Sequence, residues 1–140
     1  MGPRVSGNVW SVRTKGKSMR IRATEHDEQV TVIEWARLHR RKWPELELLF
    51  AIPNGGLRHV ITARRLKAEG VQAGVPDLFL PVARDGKHGL FIEMKARDGK
   101  LSNAQKEWIT GLRLQGYWPM VCYSASEAIL YLTRYLDSPK

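Results

Sequence analysis

Asp77, Glu93 and Lys95 are the residues of this 140-residue chain whose types and spacing best suit chemistry. Asp77 follows Pro76, and Glu93-Met94-Lys95 lies beyond Arg84-Asp85-Gly86-Lys87, whose Asp-Gly pair is a hairpin signal. Residues 77–82 and 89–95 then read as the two arms of that hairpin. Period-two alternation puts Phe91, Glu93 and Lys95 on one face and Leu90, Ile92 and Met94 on the other. Closing the hairpin sets the start of the first arm beside the end of the second. Asp77 is therefore expected next to Glu93 and Lys95. Two carboxylates within about 4–6 Å repel, and one pKa rises unless a cation lies between them. A hard divalent ion such as Mg²⁺ resolves this, because it is held by carboxylates and waters. Such an ion activates a bound water and neutralises charge growing on a phosphorus-bound oxygen. Lys95 could orient or deprotonate that water, or stabilise the pentacoordinate transition state. The expected chemistry is hydrolysis of a phosphodiester.

The pattern alone is loose. Pro76-Asp77 also reads as a turn before a strand, and Glu93 and Lys95 as a solvated strand face. Two further residues fit the site. Glu25 and Gln29 lie one helical turn apart on a first helix, in line with Val32 and Ala36. A carboxylate there would complete an ion's surroundings; Glu28 is the alternative, and a dipole-favoured first-turn acid is the plainer reading of Glu25. Gln105 reads either as the capping-box partner of Ser102 or as an amide aimed at the attacking water or a phosphate.

The elements that must position these groups follow from caps and periodicity. Thr24 is an N-cap signal, with Glu25, Asp27 and Glu28 in the first turn and apolar residues at helical spacing to about Arg40. Pro44 stops that helix. Residues 46–52 read as a strand ending at the turn Pro53-Asn54-Gly55-Gly56, and residues 59–69 as a helix closed by Gly70. Ser102 opens a helix closed by Gly116, residues 117–123 form a strand, and Ser124 caps a last helix to about Leu136. The order is α-β-α-β-β-α-β-α, an α/β fold with a mixed sheet flanked by helices.

Composition narrows the classes. The chain carries 23 Lys+Arg against 14 Asp+Glu, a net +9, and 43% hydrophobic residues, enough for one folded domain. Apolar runs are too short for a membrane span or a secretory signal. A single cysteine, Cys122, excludes an internal disulfide, and no Cys/His cluster has zinc spacing. A soluble intracellular protein is expected. Residues 1–24 hold Arg4, Arg13, Lys15, Lys17, Arg20 and Arg22 without an acid, so most of the excess charge sits there. Residues 1–23 are expected as a basic, flexible arm, within which Met19 could itself be a native start, and residues 24–140 as the folded domain. A basic arm suits a polyanion, although a solvated tail explains it equally well.

In order along the chain come Glu25-His-Asp-Glu-Gln29, Ile52-Pro-Asn-Gly-Gly56, Leu66-Lys-Ala-Glu-Gly70, Gly74-Val-Pro-Asp-Leu-Phe-Leu80, Phe91-Ile-Glu-Met-Lys95 and Leu101-Ser-Asn-Ala-Gln-Lys106. Together these blocks resemble the virus-type replication-repair nuclease (VRR-NUC) family, a branch of the PD-(D/E)xK nucleases. The resemblance implies a restriction-endonuclease-like fold. It also implies catalytic acids at Asp77 and Glu93, a catalytic lysine at Lys95, a first-helix glutamate at Glu25 and a glutamine at Gln105. It implies Mg²⁺ or Mn²⁺ held by Asp77, Glu93, the backbone carbonyl of Met94 and Glu25, the last directly or through water. Short stand-alone members of phage and bacterial origin look like homodimers that cut branched DNA, including four-way junctions, so DNA repair in the cytoplasm of a bacterial or phage-infected cell is the implied setting. A flap or nicking nuclease of the same fold and a silent DNA-binding module are the alternatives. Asn54, Gly55, Gly56 and Arg58 could approach phosphates through backbone amides and a guanidinium, and Arg64, Arg65 and Lys67 could track a backbone from the following helix.

Overall fold

A computed structural model describes residues 10–14, 17–53 and 60–140. Strands β1 (Trp10–Thr14) and β2 (Lys17–Ile21) pair antiparallel as a separate two-stranded sheet. They fall within the segment expected as an arm. Helix α1 (Glu25–Leu38) begins at the expected cap: Thr24 Oγ1 accepts from the Asp27 amide at 3.2 Å, and Asp27 Oδ2 accepts from the Thr24 amide at 2.8 Å. That reciprocal pair satisfies two donors which an uncapped helix leaves open.

Sequence and structure differ after α1. Residues 46–52 were expected as one strand, but Pro44–Leu48 forms a 3-10 helix and only Phe50–Ala51, β3, is extended. The reason is local. Pro44 opens the turn at a position where a missing amide costs nothing, and Leu46 turns inward to full burial.

The main sheet has the order β3-β4-β5-β6, where β4 is Leu78–Leu80, β5 is Leu90–Met94 and β6 is Trp118–Cys122. β3, β4 and β5 are antiparallel neighbours, with Phe50 opposite Phe79 and Leu78 opposite Ile92. β5 and β6 are parallel. Parallel neighbours need a crossover, supplied here by α3 (Asn103–Leu114). Helix α2 (Val60–Ala68) follows β3 in the chain, and α4 (Ala125–Asp137) closes it. This is a mixed α/β fold with a four-stranded sheet flanked by helices, in the order the sequence suggests once the β1–β2 hairpin is set aside.

The core lies between the sheet and the helix pair α1 and α4. Leu78 and Leu80 from β4, and Leu90, Ile92 and Met94 from β5, are buried against Val32, Ala128 and Leu132. Residues of α4 spaced three or four apart supply its inner stripe. Cys122 is wholly buried, and burial pushes its thiol up to about 12, so it packs as a small apolar group. Trp43 also packs in the core and donates its indole N–H to Asp137 at 3.0 Å. Among the described residues no helix is long and apolar enough to cross a membrane.

The β4–β5 connection holds a tight turn that is one residue out of step with the strand register beyond it. Arg84 and Lys87 bridge across it, and Asp85 and Gly86 both adopt positive φ (48° and 72°), the geometry of a type I′ turn. Arg84 is tied down on three sides. Its Nη2 meets Glu45 Oε1 at 2.6 Å, Nη1 donates to the Ala83 carbonyl at 2.8 Å, and Nε donates to the Leu136 carbonyl at 3.4 Å. The Arg84 side chain is only 7% exposed, so loss of its anionic partner leaves a charge poorly hydrated. Glu45→Ala should therefore destabilise the fold by about 2 kcal/mol, read from urea unfolding, with Glu45→Gln losing less because an acceptor remains.

Candidate active site

Register brings the two acids together. Because Leu78 pairs with Ile92, the preceding Asp77 falls opposite the following Glu93. Leu78 and Ile92 point into the core, so both carboxylates point to the opposite face of the sheet. The Asp77 backbone is itself held in the ladder, its carbonyl accepting from the Ile52 amide at 2.8 Å.

Each acid is then fixed by one oxygen. Oδ2 of Asp77 accepts from the Met94 amide at 2.7 Å. Oε1 of Glu93 accepts from Gln105 Nε2 at 2.6 Å and lies 3.4 Å from Lys95 Nζ. Among the described residues no hydrogen bond engages Oδ1 of Asp77 or Oε2 of Glu93. The side chains of Glu93 and Lys95 are 4% and 12% exposed, so this pair is largely withdrawn from water. Burial, with Asp77 next in weight, pushes Glu93 up to about 7; Lys95 opposes that shift. Burial also raises Asp77, against the lowering effects of the Met94 amide and Lys95.

The helices complete the cleft. Glu25, the first residue of α1, accepts from the Ala96 amide at 2.9 Å and so holds the backbone just after Lys95. Glu28 does something else, accepting from the Ala125 amide at 2.6 Å at the start of α4. Of Glu25 and Glu28 it is Glu25 that faces the cleft. Gln29 lies apart from it, along a groove on α1 with His26 and Ile33. Gln105 combines its two expected readings: Oε1 accepts from the Ser102 amide at 2.8 Å as the capping-box partner, while Nε2 reaches Glu93. Its amide thus orients a carboxylate.

Together Glu25, Asp77, Glu93, Lys95 and Gln105 line one cleft of about 330 Å³, with Val71, Ala73 and Gly74 as its remaining wall. Sequence reasoning missed that wall. Gly74 has φ +91°, and a Cβ on it would lie 2.6 Å from the Ala104 carbonyl carbon. Glycine alone lets this segment close onto the first turn of α3, and the Gly before Val75-Pro76 was the available signal. Arg64, Arg65 and Lys67 are exposed on α2, which leads through Gly70 into the cleft wall; Arg65 is shared with Glu69 at 2.9 Å. Asn54, Gly55, Gly56 and Arg58 lie outside the described residues.

The donor set suits a hard dication. Among the described residues no three His, Cys, Asp or Glu groups gather closely enough to cage an ion. The protein instead offers Asp77 and Glu93 with one oxygen each, in a cleft with room for water. The Met94 carbonyl points to the same edge as its N–H, which already reaches Asp77. Two carboxylates, a carbonyl and waters are how Mg²⁺ is commonly held, and a dication there would counter the burial that raises both acids.

The VRR-NUC domain family matches residues 16–126, and the chain belongs to that family. A solved structure described as a VRR_NUC domain protein is 30% identical, with a TM-score of 0.73 over 86% of this chain and 93% of its own. No curated protein matches the chain. The fold and the domain are thus those of a nuclease family.

Burial of Glu93 has a measurable consequence without metal. Its folded pKa, about 7, lies above its ordinary 4.5, so the folded state holds the proton more tightly than the unfolded one. The stability this contributes is full below pH 4.5 and is lost as pH rises through 7. Urea unfolding in EDTA should show wild type weakening across that range by on the order of 3 kcal/mol, and Glu93→Gln weakening clearly less. Coincident slopes would mean that Glu93 is not the strained acid.

Proposed function

We propose that this chain is a Mg²⁺- or Mn²⁺-dependent DNA endonuclease that hydrolyses phosphodiester bonds in branched DNA, acting as a homodimer. The observation that supports it is the convergence of Asp77, Glu93 and Lys95 in one cleft, two acids side by side and an amine 3.4 Å from one of them.

In this reading Asp77, Glu93 and the Met94 carbonyl hold the ion, with Glu25 within reach directly or through water. When bound, the ion supplies water activation and charge neutralisation at the phosphoryl group. The protein's own groups do the rest. Gln105 keeps Glu93 turned toward the cleft, and the Met94 amide does the same for Asp77. Lys95 has three donors, so it can hold Glu93 while donating to the attacking water or to a phosphoryl oxygen. Glu25 anchors the backbone that carries Lys95. Catalytic roles are assigned to Asp77, Glu93, Lys95, Gln105 and Glu25 on this basis.

DNA is the substrate class that the nuclease domain and the net +9 both favour. Arg64, Arg65 and Lys67 would track the phosphate backbone beside the cleft wall, and Asn54, Gly55, Gly56 and Arg58 would meet phosphates before it. A two-fold pair of clefts would match the symmetry of a four-way junction. A role in DNA repair inside the cell follows from such a substrate.

The direct test incubates labelled four-way junctions, flaps and linear duplex with the protein in Mg²⁺ or in EDTA. Cutting of a branched substrate only with metal is expected. Asp77→Ala and Lys95→Ala should each lower the cleavage rate at least about 100-fold while retaining DNA binding in EDTA. Normal cutting by both variants would overturn the site. A monomer by light scattering, with flaps preferred, would replace the junction reading with flap cleavage.

A further inference from the structure

The face of the sheet that carries the acids also carries a row of aromatic rings. Phe50, Phe79 and Phe91 are register partners on β3, β4 and β5, so their side chains share one face. Phe79 stacks on Phe91 with centroids 4.1 Å apart, and Phe50 meets Phe79 edge-on at 5.7 Å. Phe91 and Phe79 are further braced by Tyr117. The row lies two residues along β4 and β5 from Asp77 and Glu93, a separation of about 7 Å on the same face.

Phe91 is closed off at 8% exposure, but Phe50 keeps 48% of its surface in solvent. It sits on β3, at the edge of the sheet, where β3 carries it toward the cleft through Ile52 and the Ile52–Asp77 hydrogen bond. α1 and α4 pack on the opposite face and α3 packs on β6, so none of these helices is the partner of that ring. The row therefore shares the sheet face of the acids, beside the cleft rather than in its lining, and ends in a half-exposed ring.

We propose that Phe50 is a stacking platform for an unpaired base of the substrate, next to the phosphate that the acids address. This rests on the nuclease reading above and deepens it: the substrate class becomes DNA with at least one unpaired nucleotide beside the cut. A shared sheet face two residues from the acids and a net positive protein favour a nucleic acid as the occupant. The braced Phe79–Phe91 pair gives the ring a rigid backing, which lowers the ordering cost of stacking. Every base presents a π-face, so such a platform selects unpaired structure without selecting sequence.

The test uses full-length protein in EDTA with branched DNA carrying the fluorescent base 2-aminopurine at unpaired positions flanking the branch. Wild type should quench one such position. Phe50→Ala should abolish the quench and weaken binding roughly ten-fold, and leave affinity for fully paired duplex unchanged. Phe50→Tyr should behave as wild type, and Phe50→Leu as Phe50→Ala. A Leu variant that quenches normally, or an Ala variant that does, would overturn the platform. So would a fall from dimer to monomer mass in Phe50→Ala, which would make the ring a contact between two copies. If wild type neither binds nor cuts any DNA, the nuclease reading itself fails and the platform with it; if wild type cuts branched DNA and Phe50→Ala is indistinguishable from it, only the platform fails.

Discussion

Two acids held side by side with little water are the constraint around which this molecule is arranged. Antiparallel pairing of β4 with β5 leaves no choice: once Leu78 faces Ile92, Asp77 faces Glu93. Burial penalises both charged forms, Asp77 adds to the penalty on Glu93, and the protein offsets this with donors from three sources. A strand amide, Met94 N–H, holds Asp77; a helix side chain, Gln105, and a neighbouring ammonium, Lys95, hold Glu93. These reduce the strain without abolishing it, since both acids keep raised pKa values.

The surrounding contacts make sense as devices for keeping that pair in place. Gln105 is bound to Ser102 as well as to Glu93, so the cap that starts α3 also sets the direction of a site carboxylate. Gly74 lets the loop before Asp77 press on the same first turn, locking strand entry and helix start together. On the other side Glu28 ties α1 to the start of α4, leaving Glu25 to reach the backbone beside Lys95. Helix capping here sets the site as well as the helix ends.

Most of this was legible because it is local. Asp85-Gly86 fixes a turn type and so marks a hairpin, and a period of two decides which of Phe91, Ile92, Glu93 and Met94 share a face. The strand register itself lies one residue off the one the Asp85-Gly86 turn alone would set. The caps at Thr24, Ser102 and Ser124 are equally local and lie where the residue types put them. What the sequence hid depends on tertiary contacts. The strand expected at 46–52 became a 3-10 turn because burial of Leu46 and the ring of Pro44 outweigh β propensity there. Glu25 and Glu28 could not be separated by sequence, since helical phase alone leaves both near the inner side and only the position of Ala125 assigns Glu28 elsewhere. Gln105 looked like a choice between two roles because a sequence does not reveal that an amide's two ends serve different partners.

The mixed topology explains why the site sits at this end of the sheet. β4 runs opposite to β5, whereas β6 runs with it, so the start of β4 and the ends of β5 and β6 meet at one edge. Chain direction then brings helix starts to the same place. α4 begins just beyond β6, α3 enters its first turn where Gln105 touches Glu93, and α1 begins where Glu25 meets Ala96. A helix start carries unpaired amides and the positive end of its dipole. At these starts Glu25 and Gln105 reach the cleft, whereas the first amide of α4 is taken by Glu28. An all-antiparallel sheet would place the end of β6 at the far edge and carry α4's start away with it. Switching from antiparallel to parallel pairing at β5 is what gathers acids, amine and helix starts at a single edge.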